Sequence, residues 1–424
     1  MIRFLFTGLI RDRHRSLFPI IVVATGVMLT VVFHSWLSGV LGDSIEFTAK
    51  FSTGHVKVTT ASYAENISQM PNDLAIIGST GLMDTLTDRY PSLDWSERIY
   101  FAGLVDVPDK SGETRSQGNA LGFGIDLLSG DDSEKERLNI IKSINKGRAP
   151  EKPGEVLLSD NFAEKLGVEP GDTLTLIGST MFGELSFYNF VLAGTVEFGT
   201  SNLDRGTIIA DLADVRKALN MEDAAGEILG FFKTGYFDAE MAASVSAGFN
   251  ASMHNSEDEF SPLMKSLKEQ NKMGVLVDYA SMLFGTMIAV FMLAMAIVLW
   301  NAGLLGGLRR YGEFGMRLAI GEEKGHVYRT LIYESLLVGI IGSLIGLIPG
   351  LAISWYLQTV GIDFGTMMKN ANIMMPTIFR ARIMPETWII GFIPGILSTL
   401  IGSMLSGIGI YKRQTSQLFK ELEA

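Results

Sequence analysis

The sequence predicts an α-helical membrane protein with four transmembrane helices and a mixed α+β extracytoplasmic domain inserted between the first and second of them. Three observations carry this. Nearly uncharged apolar stretches recur at 17–41, 274–306, 327–357 and 387–411, each long enough for the roughly 20 residues that cross a bilayer. The chain is 47% hydrophobic and 19% charged with a mean hydropathy of +0.26, too apolar for an ordinary soluble protein of 424 residues. The formal charge of −11 is also unevenly placed: acids crowd between Asp43 and Glu269, whereas bases cluster in the N-terminal stretch, a central loop and Lys412–Lys420. That asymmetry argues against nucleic-acid binding and fits a membrane protein with an acidic outer domain. The chain has no cysteine, so neither a disulfide framework nor a Cys-linked lipid anchor is available.

In chain order, Met1–Arg15 interleaves Phe4, Leu5, Leu9 and Ile10 with Arg3, Arg11, Arg13 and Arg15. This reads as an interfacial elbow helix over 1–16, its basic side turned to anionic headgroups. The apolar run 17–41 follows. A signal peptide shares the basic start, but its core is only about 7–15 residues long, and no A-x-A-like site follows here. A retained first span is expected. His34 within it is expected to hydrogen-bond between helices rather than to carry protons or ligand.

Residues 42–273 are expected to form the outer domain with its stalk ends. Ser44–Phe51 keeps helical character with Glu46 and Lys50 at i,i+4, and Gly54–Thr60 alternates with period two. Strand-like runs are Arg98–Val107, Ala120–Ile125, Glu155–Leu158, Thr173–Leu176, Phe187–Val196, Thr207–Ala210 and Ile228–Phe232. Helical segments are Ser133–Ile144, Asp160–Leu166, Leu212–Leu219 and Ala239–Ala247. Between Gly147 and Ile177, Pro153-Gly154 turns into a short strand, Asp160 caps a two-turn helix ending at Gly167, and Glu169–Asp172 turns into the next strand. Ser261-Pro262 opens a helix with proline in its first turn. It is expected to run as a second stalk straight into the second span, 274–306.

The third span, 327–357, carries Gly342, Gly346 and Gly350 at a spacing of four, a smooth face for close helix packing. An outer loop, 358–386, holds Met367, Met368, Met374 and Met375. Such a loop suits greasy substrates, and equally an interfacial position with no such role. The fourth span, 387–411, ends at Lys412-Arg413, placing the tail 412–424 inside.

The rest of the chain is arranged around Leu308–Glu334, a charged amphipathic stretch between two apolar runs. Arg309, Arg310, Arg317, Lys324 and Arg329 make it basic on balance, so 307–326 is expected on the cytoplasmic side. Glu313 and Arg317 stand at i,i+4, with Phe314, Leu318 and the Met316–Ile320 pair on other rows. A short helix lying along the membrane surface is expected. An ordinary positive-inside loop would account for the arginines equally well.

The order Tyr311-Gly-Glu313-Phe314-Gly315-Met316-Arg317-Leu318-Ala319-Ile320-Gly321, followed by Glu334 on a Gly-rich span, resembles the coupling segment of MacB/FtsX-type ABC permeases, the mechanotransmission type. Gly147–Ile177 resembles the periplasmic core domain of MacB and of the lipoprotein-releasing permeases (LolC/LolE type), and Gly124-Ile125-Asp126 echoes the lipoprotein-releasing group. The resemblance covers essentially the whole chain. It departs at the tail, where Gln414–Lys420 replaces the family's Pro-x-(Glu/Ser)-Ala-Leu-Arg-like ending, so no tail contacts are carried over.

The resemblance implies a MacB-like outer domain and a multi-pass protein of the bacterial inner membrane with both termini cytoplasmic. It implies that Tyr311, Glu313, Phe314, Met316, Arg317, Ala319, Ile320, Gly321 and Glu334 couple to a cytoplasmic ABC ATPase dimer. It further implies a second permease protomer, identical or not, a periplasmic carrier or adaptor, and contact with membrane lipids. No catalytic constellation is visible, and the five histidines are scattered without metal-ligand spacing. Gly307–Gly312 is followed by Glu313-Phe314 where a phosphate loop needs Lys-Ser/Thr. A non-catalytic subunit without cofactor is therefore expected, with ATP–Mg on the partner. Release of lipoprotein is the expected function. MacB-like export of peptides or drugs, or FtsX-like signalling to a cell-wall hydrolase, stands as the alternative.

Overall fold

The computed structural model describes residues 13–109, 111–255, 257–270, 273–364, 374 and 378–412. The chain divides into two units, one of residues 1–41, 278–362 and 379–424, the other of 42–277 and 363–378.

Among the described residues, four helices are long and apolar enough to cross a membrane: Leu17–Thr53, Met273–Asn301, Lys324–Thr359 and Pro385–Ile408. Within the first unit, Val23, Val27 and Val31 recur every fourth residue along one face of the first helix and pack with Leu299 and Leu347. His34 is buried, and its Nδ1 lies 3.2 Å from the Thr387 hydroxyl of the fourth helix. This is the inter-helix hydrogen bond expected of it. The elbow up to residue 12, the tail beyond residue 412, and Met367, Met368 and Met375 lie outside the described residues.

The second unit is built on a ten-stranded mixed sheet. Its strands are β1 (Val56–Thr60), β3 (Leu93–Pro108), β4 (Thr114–Ile125), β5 (Ile144–Gly147), β6 (Glu155–Ser159), β7 (Thr173–Ser179), β8 (Leu185–Val196), β9 (Thr207–Asp211), β11 (Glu227–Phe232) and β12 (Pro262–Ser266); the short β2 (Ile76–Ile77) and β10 (Ala224–Ala225) pair separately. Pairing runs β3–β4–β9–β6–β8–β7 and returns to β3, so these strands close into a ring. Inside it pack Phe101, Val105, Val156, Leu158, Leu174, Leu176, Phe190, Leu192, Ile208 and Ala210. Leu157 and Ile209 point to the opposite face, where a second cluster forms with Phe123, Leu138, Val196 and Phe198. Strands buried on both faces read as unbroken apolar runs, which is why β6 and β9 stand out in the sequence. The first half of β3 leaves the ring to pair with β11, which continues through β1 to β12 under the helices Ser79–Arg89 and Ala239–Met253.

Several expectations are corrected. Pro262–Ser266 is not the start of a second stalk helix but an edge strand paired along β1, and the second span begins at Met273. The central stretch is not a separate surface helix: one helix runs unbroken from Met273 to Ala319, 47 residues or about 70 Å, more than twice the roughly 30 Å hydrocarbon core. Ser133–Ile144 holds a single helical turn, Ser133–Arg137, then a short 3₁₀ turn, Ile141–Ser143. Ser159 rather than Asp160 occupies the cap position before Asp160–Leu166. Beyond Thr48 the first helix widens into a π-turn, Ala49–Thr53, and Glu46 engages His55.

Candidate coupling site between the second and third spans

The long second helix stops at Ala319 for a local reason. Gly321 has φ +101°, a left-handed conformation that glycine adopts without a Cβ penalty. The Gly321 N–H donates to the Leu318 carbonyl and the Glu322 N–H to the Arg317 carbonyl, both at 3.1 Å. These two bonds make a Schellman motif, which satisfies carbonyls that a helix end otherwise leaves bare. Its flanking positions usually meet through an apolar contact. Here they are Arg317 and Glu322, whose Nε and Nη2 donate to Oε2 and Oε1, each at 2.6 Å. The fork holds the Glu322 carboxyl below its ordinary range and draws His326 to 3.6 Å on the next helix. Glu323 caps the third span, which starts at Lys324.

The turn leaves apolar side chains in the open. Ile320 is 81% exposed and Met316 58%, on either side of the Arg–Glu fork, with Ala319 exposed as well. The turn thus sets exposed apolar side chains beside a fixed guanidinium–carboxylate fork. Among the described residues no cluster of three His, Asp or Glu side chains could hold a metal ion. The side chains of Tyr311, Glu313 and Phe314 lie outside the described residues. Glu334 lies partly buried further along the third span. The Arg317–Glu322 fork is a feature that sequence reasoning missed, and its signal was an acid directly after the helix-ending Ile320-Gly321.

Residues 285–415, which contain this turn, match the model of the FtsX-like permease C-terminal domain. The lipoprotein-releasing system transmembrane protein LolC of Xylella fastidiosa (strain Temecula1) is 26% identical over 221 residues, 49% of this chain and 50% of that protein. LolC of Haemophilus influenzae is 22% identical over 255 residues, 58% of this chain and 60% of its own length. The macrolide export ATP-binding/permease protein MacB of Wolinella succinogenes is 27% identical over 119 residues, 28% of this chain and 16% of that protein. Over residues 285–415 the chain is similar to FtsX-like permeases, and over about half its length to LolC-type permeases. It spans about half the length of the LolC proteins it matches. The crystal structure of the periplasmic region of MacB from Actinobacillus actinomycetemcomitans aligns over 55% of this chain and 95% of that one, with 11% identity and a TM-score of 0.36.

In this chain the three spaced glycines line the contact between the third and first helices. A Cβ at Gly346 would lie 2.2 Å from the Ala24 carbonyl oxygen, one at Gly342 2.8 Å from Val23, and one at Gly350 3.1 Å from Val31. Gly339 meets the fourth helix instead, with a Cβ there falling 2.5 Å from Thr399. Small residues thus let helix backbones approach where lipid supplies no hydrophobic drive for association.

Proposed function

We propose that this chain is the membrane-spanning subunit of an ABC transporter, in which a separate cytoplasmic ATPase pushes on the turn at Met316–Glu323 and the motion changes the extracytoplasmic unit. The transported step we assign is release of lipoprotein from the bacterial inner membrane. The observation that carries the reading is the Schellman-closed turn with its exposed Met316 and Ile320 beside the Arg317–Glu322 fork, inside the FtsX-like segment. The names of the LolC relatives support lipoprotein as substrate, while the shorter match to a macrolide export protein favours MacB-like export of peptides or drugs as the second reading. ATP–Mg belongs to the partner in either case, as Gly307–Gly312 lacks the following lysine. A second permease protomer, a carrier or adaptor outside, and membrane lipids complete the assembly.

The fork provides a clean test. Arg317 and Glu322 either serve their own turn or present charge to the ATPase. The double reversal Arg317→Glu with Glu322→Arg keeps an ion pair within the turn but inverts what a partner meets. Variants are matched for membrane abundance, then scored by pull-down of the ATPase and by its stimulated turnover. A docking role predicts that Arg317→Ala and the double reversal both lose coupling by more than about tenfold, equivalent to 1.4 kcal/mol of binding. Full coupling in the double reversal would remove this turn as the point of transmission.

A further inference from the structure

The first helix does not simply end where the extracytoplasmic unit begins. At Ala49–Thr53 it widens into a five-residue π-turn, closed by Gly54 N–H donating to the Ala49 carbonyl at 2.8 Å. Isolated π-turns are rare and concentrate at functional positions. This one hands directly on to β1, a strand inside the sheet, through Gly54 at φ 59° and ψ −178°. That backbone conformation is essentially restricted to glycine, and a Cβ here would lie 2.6 Å from the Val56 carbonyl oxygen.

The last carbonyls of the helix have no partner in its own ladder, and side chains from outside the helix take up three of them. Arg98 Nη1 donates to Lys50 O at 2.6 Å, the Tyr100 hydroxyl to Phe51 O at 2.7 Å, and Gln270 Nε2 to Thr53 O at 3.2 Å. Arg98 is itself fixed, its Nε and Nη2 donating to Glu134 Oε2 at 3.1 and 2.8 Å, while Glu134 also binds Arg137. One turn earlier, Glu46 accepts the Phe237 N–H at 2.6 Å and meets His55 Nε2 at 3.0 Å. His55 Nδ1 accepts from the Phe232 N–H, so the proton of a neutral ring sits on Nε2 and points at Glu46. The Phe51 ring packs edge-on against Phe198.

We propose that this junction is a clamped joint: Arg98, Tyr100 and Gln270 lock the π-turn so that the helix end and β1 move as one body. Without the clamp the wide turn could tighten or unwind, and a displacement of the helix would be absorbed before reaching the sheet. Arg98 is thus a positioning residue, acting through the Lys50 carbonyl. That the joint carries motion from the membrane rests on the transport reading above; its stiffness does not.

The test is amide hydrogen exchange on the full chain in lipid nanodiscs. Arg98→Lys keeps a charge for Glu134, but one ammonium cannot span both that carboxylate and Lys50 O. Tyr100→Phe removes a single hydroxyl and is the variant least able to unfold the unit. Both are expected to raise exchange at Gly54 and His55, by about tenfold for Arg98→Lys, while amides of β6 and β9 keep wild-type protection. Unchanged exchange at Gly54 and His55 in both variants would overturn the joint. In a second arm the purified ATPase and ATP are added: wild type should show a nucleotide-dependent change across β1 that Arg98→Lys lacks. If Arg98→Lys retains that change despite a loosened turn, the joint is also overturned. A wild-type chain that shows no such change refutes the coupling reading and leaves the first arm to decide the joint.

Discussion

Glu155 accepts four hydrogen bonds: two from the Arg148 guanidinium at 2.7 and 2.5 Å, and two from the Glu151 and Lys152 N–H groups. The Arg148 bonds, with help from the two amides, hold its carboxyl at about 2, against an ordinary 4.5. Because the folded value is depressed, its stabilising contribution is complete above the unfolded pKa. It is lost as pH falls from about 4.5 toward about 2. Glu155→Gln should therefore lower the thermal midpoint of the nanodisc-embedded chain at pH 6, and the gap should narrow without closing as the buffer is taken to pH 3, still above the folded value. A constant offset between them across that range would show that Glu155 does not act through its charge. Lys57 illustrates the opposite balance. It is fully buried 2.5 Å from Glu227, yet desolvation outweighs its partner and pushes its pKa down. Glu134 is buried too, and there Arg98 and Arg137 together outweigh the desolvation and hold the carboxyl low.

At the scale of the helix, the glycines form a graded series. A methyl group at Gly346 would strike the backbone of Ala24 at 2.2 Å, whereas at Gly350 it would meet Val31 at 3.1 Å, and at Gly285 nothing stands within 4 Å. Backbone cannot step aside as a side chain can, and overpacking costs about 1–3 kcal/mol. Gly346→Ala should destabilise the spans most and Gly350→Ala less. Gly285→Ala should be neutral or better, because alanine favours the helix by about 1 kcal/mol over glycine. Thermal unfolding in lipid nanodiscs checks the order, and equal losses at all three positions would mean that these contacts do not set the packing. The same scale shows what the sequence made legible. Asp160–Leu166 and Leu212–Leu219 are bounded by Gly167 and Asn220, both left-handed, and such punctuation is local. Pro262 misled because proline opens a helix and also starts an edge strand. Pairing with β1, some two hundred residues earlier, decided between them. The second helix was expected to end with its apolar run, yet it continues through Gly306, Gly307, Gly312 and Gly315. Each costs only about 1 kcal/mol, and the chain does not turn until Gly321. The buried contacts of Arg98 were invisible for a plainer reason: its partners at Lys50 and Glu134 lie on segments that only folding brings together.

For the whole molecule, the placement of charge predicts a topology. The segment that would have to cross for the central loop to lie outside carries Arg309, Arg310, Arg317, Lys324 and Arg329. Short loops rich in lysine and arginine stay on the cytoplasmic side, whereas large acidic domains are translocated largely without regard to charge. If all four candidate spans cross, the expectation to be tested is that residues 42–277 lie on the side opposite that loop. The absence of any cysteine makes this directly measurable, because a single introduced thiol has no background. Glu184→Cys, in the exposed turn between β7 and β8, and Glu323→Cys, exposed beside the Schellman turn, place one probe on each side. A membrane-impermeant maleimide added to intact spheroplasts should label Glu184→Cys at once and Glu323→Cys only after lysis. Labelling of Glu323→Cys in intact spheroplasts would put Met316 and Ile320 out of reach of any cytoplasmic ATPase, and the transport reading would fail with the topology. Labelling of Glu184→Cys alone leaves the exposed turn and the acidic unit on opposite faces of the membrane, the arrangement in which an ATPase can act on one and be felt by the other.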